Sequence, residues 1–266
     1  MQDLTLVLIQ ADLAWGDKQA NLQRFTKKLQ QIPKQTDIIV LPEMFTTGFI
    51  VEPGLYAETT DGPTIQWLKE QSSFYQAVIT GSIIIAEEGR YVNRMIWMQP
   101  DGQWDFYDKR HLFTFGGEHL HFSRGNNAPV FRYQGWKFRP LICYDLRFPV
   151  WCKNQIQGGQ YDYDVLIGIA SWPDVRRKAW TVFLEARAIE NIAYVAGVNR
   201  VGKDGKGLTF SGDTAVFDPL GNSVVTTEPY KEAMVTVTLS YRELTYAREH
   251  FAFGQDWDRF QVVISD

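Results

Sequence analysis

Leu141-Ile142-Cys143-Tyr144-Asp145-Leu146-Arg147-Phe148-Pro149 is an apolar run that stops on a cysteine and gives way to charged residues and a proline. A β-strand holds its last side chain in the crevice beyond the sheet with little freedom, and open α/β sheets place their ligand sites at such carboxyl ends. Cys143 therefore stands where a nucleophile would be presented. The competing reading is packing, because a free cysteine is among the most buried residue types and behaves as a small hydrophobe.

Two further segments end in the same way. Thr36-Asp37-Ile38-Ile39-Val40-Leu41-Pro42-Glu43 is a short apolar run closed by Pro42 and a carboxylate, so Glu43 occupies the position of Cys143. Trp104-Asp105-Phe106-Tyr107-Asp108-Lys109-Arg110-His111 alternates and then breaks into a dense group of charges. Three strand ends thus offer a thiol, a carboxylate and an ammonium.

With these segments the chain resembles the nitrilase superfamily of carbon–nitrogen hydrolases, whose catalytic glutamate, lysine and cysteine lie on three such segments in this order. Leu41-Pro42-Glu43 matches the glutamate segment, Tyr107 to Phe113 the lysine segment, and Cys143 to Pro149 the cysteine segment. Gly117-Glu118 resembles the family's second active-site glutamate, and Ala170-Ser171-Trp172-Pro173 its substrate-pocket segment. Ala186 to Asn191 and Gly197-Val198-Asn199-Arg200 complete the pattern, which runs over nearly the whole chain. The wording around the cysteine and lysine is most similar to bacterial omega-amidases acting on 2-oxo acid amides. The resemblance implies a four-layer α-β-β-α sandwich, catalytic Glu43, Lys109, Cys143 and Glu118, no cofactor, and assembly as a homodimer or larger homo-oligomer.

Composition agrees with an enzyme on a small molecule. A chain of 266 residues can bury a large core as one α/β domain, here expected over 1–266. A net charge of −4 gives no basic footprint for nucleic acid. The amino terminus lacks the basic region of a signal peptide, and no segment approaches the roughly 20 apolar residues that span a bilayer. The two cysteines, Cys143 and Cys152, imply no disulfide framework, so a cytoplasmic location is expected, without membrane or nucleic-acid partners.

Strand-length apolar runs alternate with helical periods. Strands are expected near 4–10, up to Glu43, near 78–85, 93–99, 103–107, 129–133, 137–143, 165–170 and 194–199. Helices are expected near 17–31, 63–75, after Phe148, and over 174–191. Met98-Gln99-Pro100-Asp101-Gly102 and Phe217-Asp218-Pro219-Leu220-Gly221 echo one another as proline-glycine turns and predict two hairpins. The echo fits two similarly built sheets packed face to face with helices outside.

The chemistry needs these residue types. A free thiol has a pKa of about 8.5 and is a weak nucleophile at neutral pH, so it needs a base or a nearby cation. Glu43 is expected to take the thiol proton and Lys109, with the Tyr144 N–H, to hold the oxyanion, each such donor being worth about 3–4 kcal/mol. Glu118 would orient Lys109 or the substrate amide. Arg147, four residues after the nucleophile, would grip a substrate carboxylate or else pair with Asp145. Trp172, Phe45 and Phe115 are expected to wall the pocket.

Several alternatives bear on the same residues. His111 lies two positions from Lys109, on the same face if the segment stays extended, and a Cys-His pair is the commoner thiol device elsewhere. His119-Leu120-His121 lacks a third metal ligand at useful spacing, so no metal is expected. Cys152 reads as packed, and Gly202 to Gly207 as a solvated turn rather than a phosphate loop. The substrate could be another aliphatic amide, a carbamoyl compound, a deaminated peptide amide or a nitrile. A non-catalytic binding or assembly subunit would ordinarily show a broken triad, and Glu43, Lys109 and Cys143 are intact.

Overall fold

The structure is a computed structural model that describes residues 1–263. Its first half runs β1 (Leu4–Gln10), α1 (Lys18–Leu29), β2 (Ile38–Val40), α2 (Pro63–Tyr75), β3 (Val78–Glu87), β4 (Arg90–Met98) and β5 (Trp104–Asp108). There follow β6 (Phe131–Tyr133), β7 (Trp136–Ile142), α3 (Pro149–Cys152), β8 (Ile156–Gln157), β9 (Gln160–Tyr161), β10 (Val165–Ala170), α4 (Arg177–Asn191) and β11 (Tyr194–Asn199). The chain continues through β12 (Val201–Lys203), β13 (Thr209–Ser211), β14 (Ala215–Phe217), β15 (Ser223–Thr226), β16 (Ala233–Leu239) and α5 (Tyr241–His250).

Two six-stranded sheets form, in the orders β16-β1-β2-β3-β4-β5 and β15-β14-β11-β10-β7-β6. Each has a parallel centre, β1-β2-β3 in one and β7-β10-β11 in the other, flanked by antiparallel strands. The two proline-glycine turns close the matching hairpins β4-β5 and β14-β15, with Gly102 and Gly221 at φ of +81° and +85°. At those angles a Cβ is costly, which is why glycine sits there.

Strands with both faces covered read as continuous apolar runs because successive side chains enter different cores. In β1, Leu4, Leu6 and Leu8 face the second sheet and, with Trp97 of β4, join Phe138 and Ile167 in one core. Val7 and Ile9 turn the other way, onto Phe25 and Leu29 of α1 and Ile65 and Leu68 of α2. On the far side α4 packs Trp180 and Leu184 on β11, so the order is helix, sheet, sheet, helix, as expected.

Three of the boundaries that differ from the expectation lie at the site. β2 ends at Val40, and Glu43 lies in the following turn, since Pro42 has no N–H to continue a ladder. β7 ends at Ile142, so Cys143 opens a 3₁₀ turn, Cys143–Arg147, instead of closing the strand. The helix expected from Asp174 begins as a 3₁₀ turn, Asp174–Arg176, before α4. The last strand, β16, and α5 were not anticipated; β16 pairs antiparallel with β1 across the whole chain.

Candidate active site

The carboxyl ends of the central strands of both sheets open on one cavity of about 60 Å³, lined by Glu43, Lys109, Cys143, Tyr144, Arg147, Ser171 and Trp172 among others. Glu43 comes from the turn after β2, Lys109 from the residue after β5, Cys143 from the end of β7, and Ser171-Trp172 from the end of β10. Segments separated by up to 128 residues therefore converge, the span from Glu43 to Ser171.

Lys109 is buried and its Nζ lies 2.9 Å from Glu43 Oε1 and 2.9 Å from Glu118 Oε2. Burial alone would lower the lysine's pKa, but Glu118 and Glu43 together reverse this and hold it protonated above its ordinary range. Burial, followed by the negative charge of Glu43, raises Glu118 despite the opposing pull of Lys109. Glu118 is fixed from behind by the Phe113 N–H at 2.6 Å. Glu43 Oε2 accepts the Ser171 N–H at 2.8 Å, and Asn93 Nδ2 donates to Glu43 Oε1 at 2.9 Å.

Cys143 is half-buried and takes a left-handed φ of +47°, a strained conformation for a residue with a Cβ. The strain is held by Asp145, whose Oδ2 accepts the Ile142 N–H at 3.0 Å and the Tyr107 hydroxyl at 2.7 Å. Its Oδ1 accepts the His111 N–H at 2.9 Å and faces His111 Nδ1 at 2.8 Å. From α4, Arg187 donates to the Leu146 carbonyl at 2.8 Å. Burial and the Glu43 carboxylate push the Cys143 thiol well above its ordinary pKa, with Lys109 opposing. A thiol in such a setting needs a base before it can act as a nucleophile.

The expected walls are partly elsewhere. Phe45 is buried in the core beneath the first sheet, its ring 5.5 Å from Phe25 and 6.0 Å from Trp67. Met44, at φ +45°, reverses the chain directly after Glu43 and turns Phe45 away from the cavity. Phe115 sits on the exposed Thr114–Gly116 turn, 87% accessible and outside the cavity lining, its ring 5.9 Å from that of Phe113. The wall is instead made by Phe49, Phe113, Trp172 and Phe210. Trp172 is held by Asn199, whose Oδ1 accepts the Trp172 N–H at 2.8 Å.

Arg147 makes no pair with Asp145; its guanidinium lies over Trp172 at 4.8 Å and Phe183 at 5.4 Å. Arg176, which the sequence reading missed, lies over Phe113 at 5.4 Å and also lines the cavity. Among the described residues neither guanidinium is ion-paired. Asp204 and Leu208 bring the β12-β13 hairpin into the wall, so the segment read as a solvated turn borders the cavity. His111 is outside the lining, stacked on Phe148 at 3.7 Å. Cys152 is buried beneath the turn, its Sγ 3.5 Å from the Asp145 carbonyl, and burial pushes its pKa up to about 12. His119 and His121 are exposed.

A family model for carbon-nitrogen hydrolases matches residues 5–249. The chain is 41% identical over 262 residues to the omega-amidase YafV of Escherichia coli (strain K12), covering 98% of this chain and 100% of that protein. It is 32% identical over 255 residues to the 2-oxoglutaramate amidase of Bacillus subtilis, covering 95% and 96%. A crystal structure of a CN-hydrolase superfamily protein from Xanthomonas campestris, with an arsenic adduct in its active site, superposes with a TM-score of 0.97 at 42% identity, covering 99% and 100%. No helix among the described residues is long and apolar enough to cross a membrane.

Proposed function

Because this chain belongs to the carbon-nitrogen hydrolase family and is a hydrolase of carbon–nitrogen bonds, we propose that it is an omega-amidase. It removes the terminal amide of small 2-oxo acid amides such as 2-oxoglutaramate and 2-oxosuccinamate, giving the dicarboxylate and ammonia. The observation that carries the substrate is the pair of unpaired guanidiniums, Arg147 and Arg176, in the same small cavity as Cys143. A guanidinium matches a carboxylate bidentately, and stacking on Trp172 and Phe113 holds each fork flat. A carboxylate held there leaves the far amide to meet the thiol.

In the reaction Glu43 takes the thiol proton as Cys143 Sγ bonds to the amide carbon. The oxyanion is met by Lys109 Nζ and by the Tyr144 N–H, an amide at the start of a helical turn with no intrahelical acceptor. Glu43 returns the proton to the leaving nitrogen, and ammonia departs from a thioester. Glu43 next takes a proton from water, whose oxygen bonds to the thioester carbon, and gives it to the departing sulfur. Glu118 holds Lys109 from its other side so that the ammonium stays charged and aimed.

A reducing cytoplasm suits a thiol nucleophile. Ile189 on α4 and Tyr246 on α5 are exposed on the outer face, which supports self-association as a dimer or larger homo-oligomer.

The test is ammonia release by the protein and by Cys143→Ala on 2-oxoglutaramate, 2-oxosuccinamate, glutamine, a simple aliphatic amide and a nitrile. Rapid, cysteine-dependent release from the 2-oxo acid amides alone is expected. In the same panel Arg147→Lys is expected to raise KM for the carboxylated amides by about tenfold and leave a neutral amide unchanged. Silence on the 2-oxo acid amides with turnover elsewhere would discard the substrate, and equal effects of Arg147→Lys on both would discard its role.

A further inference from the structure

Three hydrogen bonds hold the Glu43 carboxylate, and their distribution singles out one oxygen. A carboxylate offers about four acceptor directions, two on each oxygen. Oε1 accepts from Lys109 Nζ at 2.9 Å and from Asn93 Nδ2 at 2.9 Å, which fills it. Among the described residues Oε2 accepts the Ser171 N–H alone, at 2.8 Å, so a single direction is left on the group. Glu43, Ser171 and Cys143 line the same cavity.

Asn93 is fully buried on β4, opposite Ile84 of β3, and its own carbonyl accepts the Lys109 N–H at 3.0 Å. Its Nδ2 also approaches Glu118 Oε1 at 3.4 Å, so one neutral amide bridges the two carboxylates that flank the ammonium. Its Oδ1 has no hydrogen-bond partner among the described residues. Turning the amide over would point that oxygen at two carboxylates, so the NH₂ must face them.

We infer that Asn93 is a positioning residue that saturates Oε1 of Glu43, leaving Oε2 as the atom that takes and returns the proton. It also supplies a donor that does not itself titrate. Around Glu43 the charged and titratable groups are Lys109, Glu118 and Cys143, and two carboxylates share one cation. The Asn93 donor holds Glu43 without bringing a second proton that could be lost to it.

The inference rests on Glu43 being the base, and the experiment separates the two. The rate of Cys143 alkylation by iodoacetamide is followed against pH, with no substrate involved, in the wild type, Asn93→Leu and Glu43→Gln, and kcat and KM are measured on the working amide. Leucine keeps the volume and removes the donor; Asn93→Ala serves if it does not fold. Loss of a hydrogen bond to a charged acceptor should move the acid limb up by about one to two pH units. Turnover should fall about tenfold with KM within about twofold. An unmoved limb, or a loss confined to KM, overturns the role of Asn93 while the base reading stands. If Glu43→Gln keeps the limb, the base reading and this inference fall together.

Discussion

Two sets of buried carboxylates lie on either side of Cys143, and they are satisfied to different degrees. Asp145 has every acceptor direction filled, by Ile142 N–H, the Tyr107 hydroxyl, and the backbone and ring nitrogens of His111. Glu43 has three of about four directions filled and keeps the last for the cavity. Both are fully buried; Asp145 touches Ile142, beside Cys143, and Glu43 touches Lys109 itself. A saturated carboxylate holds a shape, whereas one with an open direction can still accept a proton. The strain at Cys143 is held by the first, and in the proposed reaction its thiol depends on the second.

The largest effect is expected from Glu43→Gln. The amide keeps the size and the partners on one oxygen but cannot take a proton, so kcat should fall about 10³-fold or more, with a smaller loss of melting temperature because the new NH₂ faces the Ser171 N–H. A variant with near wild-type turnover in folded protein would mean that the open direction on Glu43 is not where the proton goes.

Asp145→Asn should invert that pattern. One oxygen of the side chain becomes an NH₂ that faces two donors, leaving buried N–H or O–H groups without acceptors at a cost of about 3 kcal/mol. Thermal stability is then expected to fall clearly, with activity lost in proportion to the loosened turn, and the pH limbs of whatever activity survives should stay in place. Shifted limbs at unchanged stability would show Asp145 taking part in proton transfer, and the contrast between the two carboxylates would collapse.

The two differ also in how far the sequence announced them. Glu43, Lys109 and Cys143, which the fold brings to one cavity, were legible because each closes a strand-length segment, apolar before Glu43 and Cys143 and alternating before Lys109, a local signal. The hairpins were legible because Pro100-Asp101-Gly102 and Pro219-Leu220-Gly221 are turn chemistry, local as well. What was missed depends on distant parts of the chain. Asn93 is one polar residue inside β4, and only the pairing of β4 with β3 and the turn at Met44 place it against a carboxylate 50 positions away. The same turn sent Phe45 into the core, since one left-handed residue redirects every side chain after it. Leu208 and Arg176 reach the cavity from a hairpin and a 3₁₀ turn whose positions are set by β13 and α4, and a glycine-rich string carries no sign of what it will face.

His111→Ala is the finest test of the comparison. If His111 belongs to the saturated side, its ring supplies one of four donors to Asp145 and a stack on Phe148, while its backbone N–H survives the substitution. Only a few-fold loss of kcat is then expected, with about 1 kcal/mol of stability, and mass spectrometry should still find Cys143 acylated by a slow substrate. The geometry already leans that way, because the ring lies outside the cavity lining and is held between Asp145 and Phe148. A Cys-His device would need the ring to leave both partners, exposing the Asp145 carboxylate it satisfies and freeing the turn that strains Cys143. Complete loss of acylation in a folded His111→Ala would show that it does so. Asp145 would then orient a histidine base, and Glu43 would be left to hold Lys109.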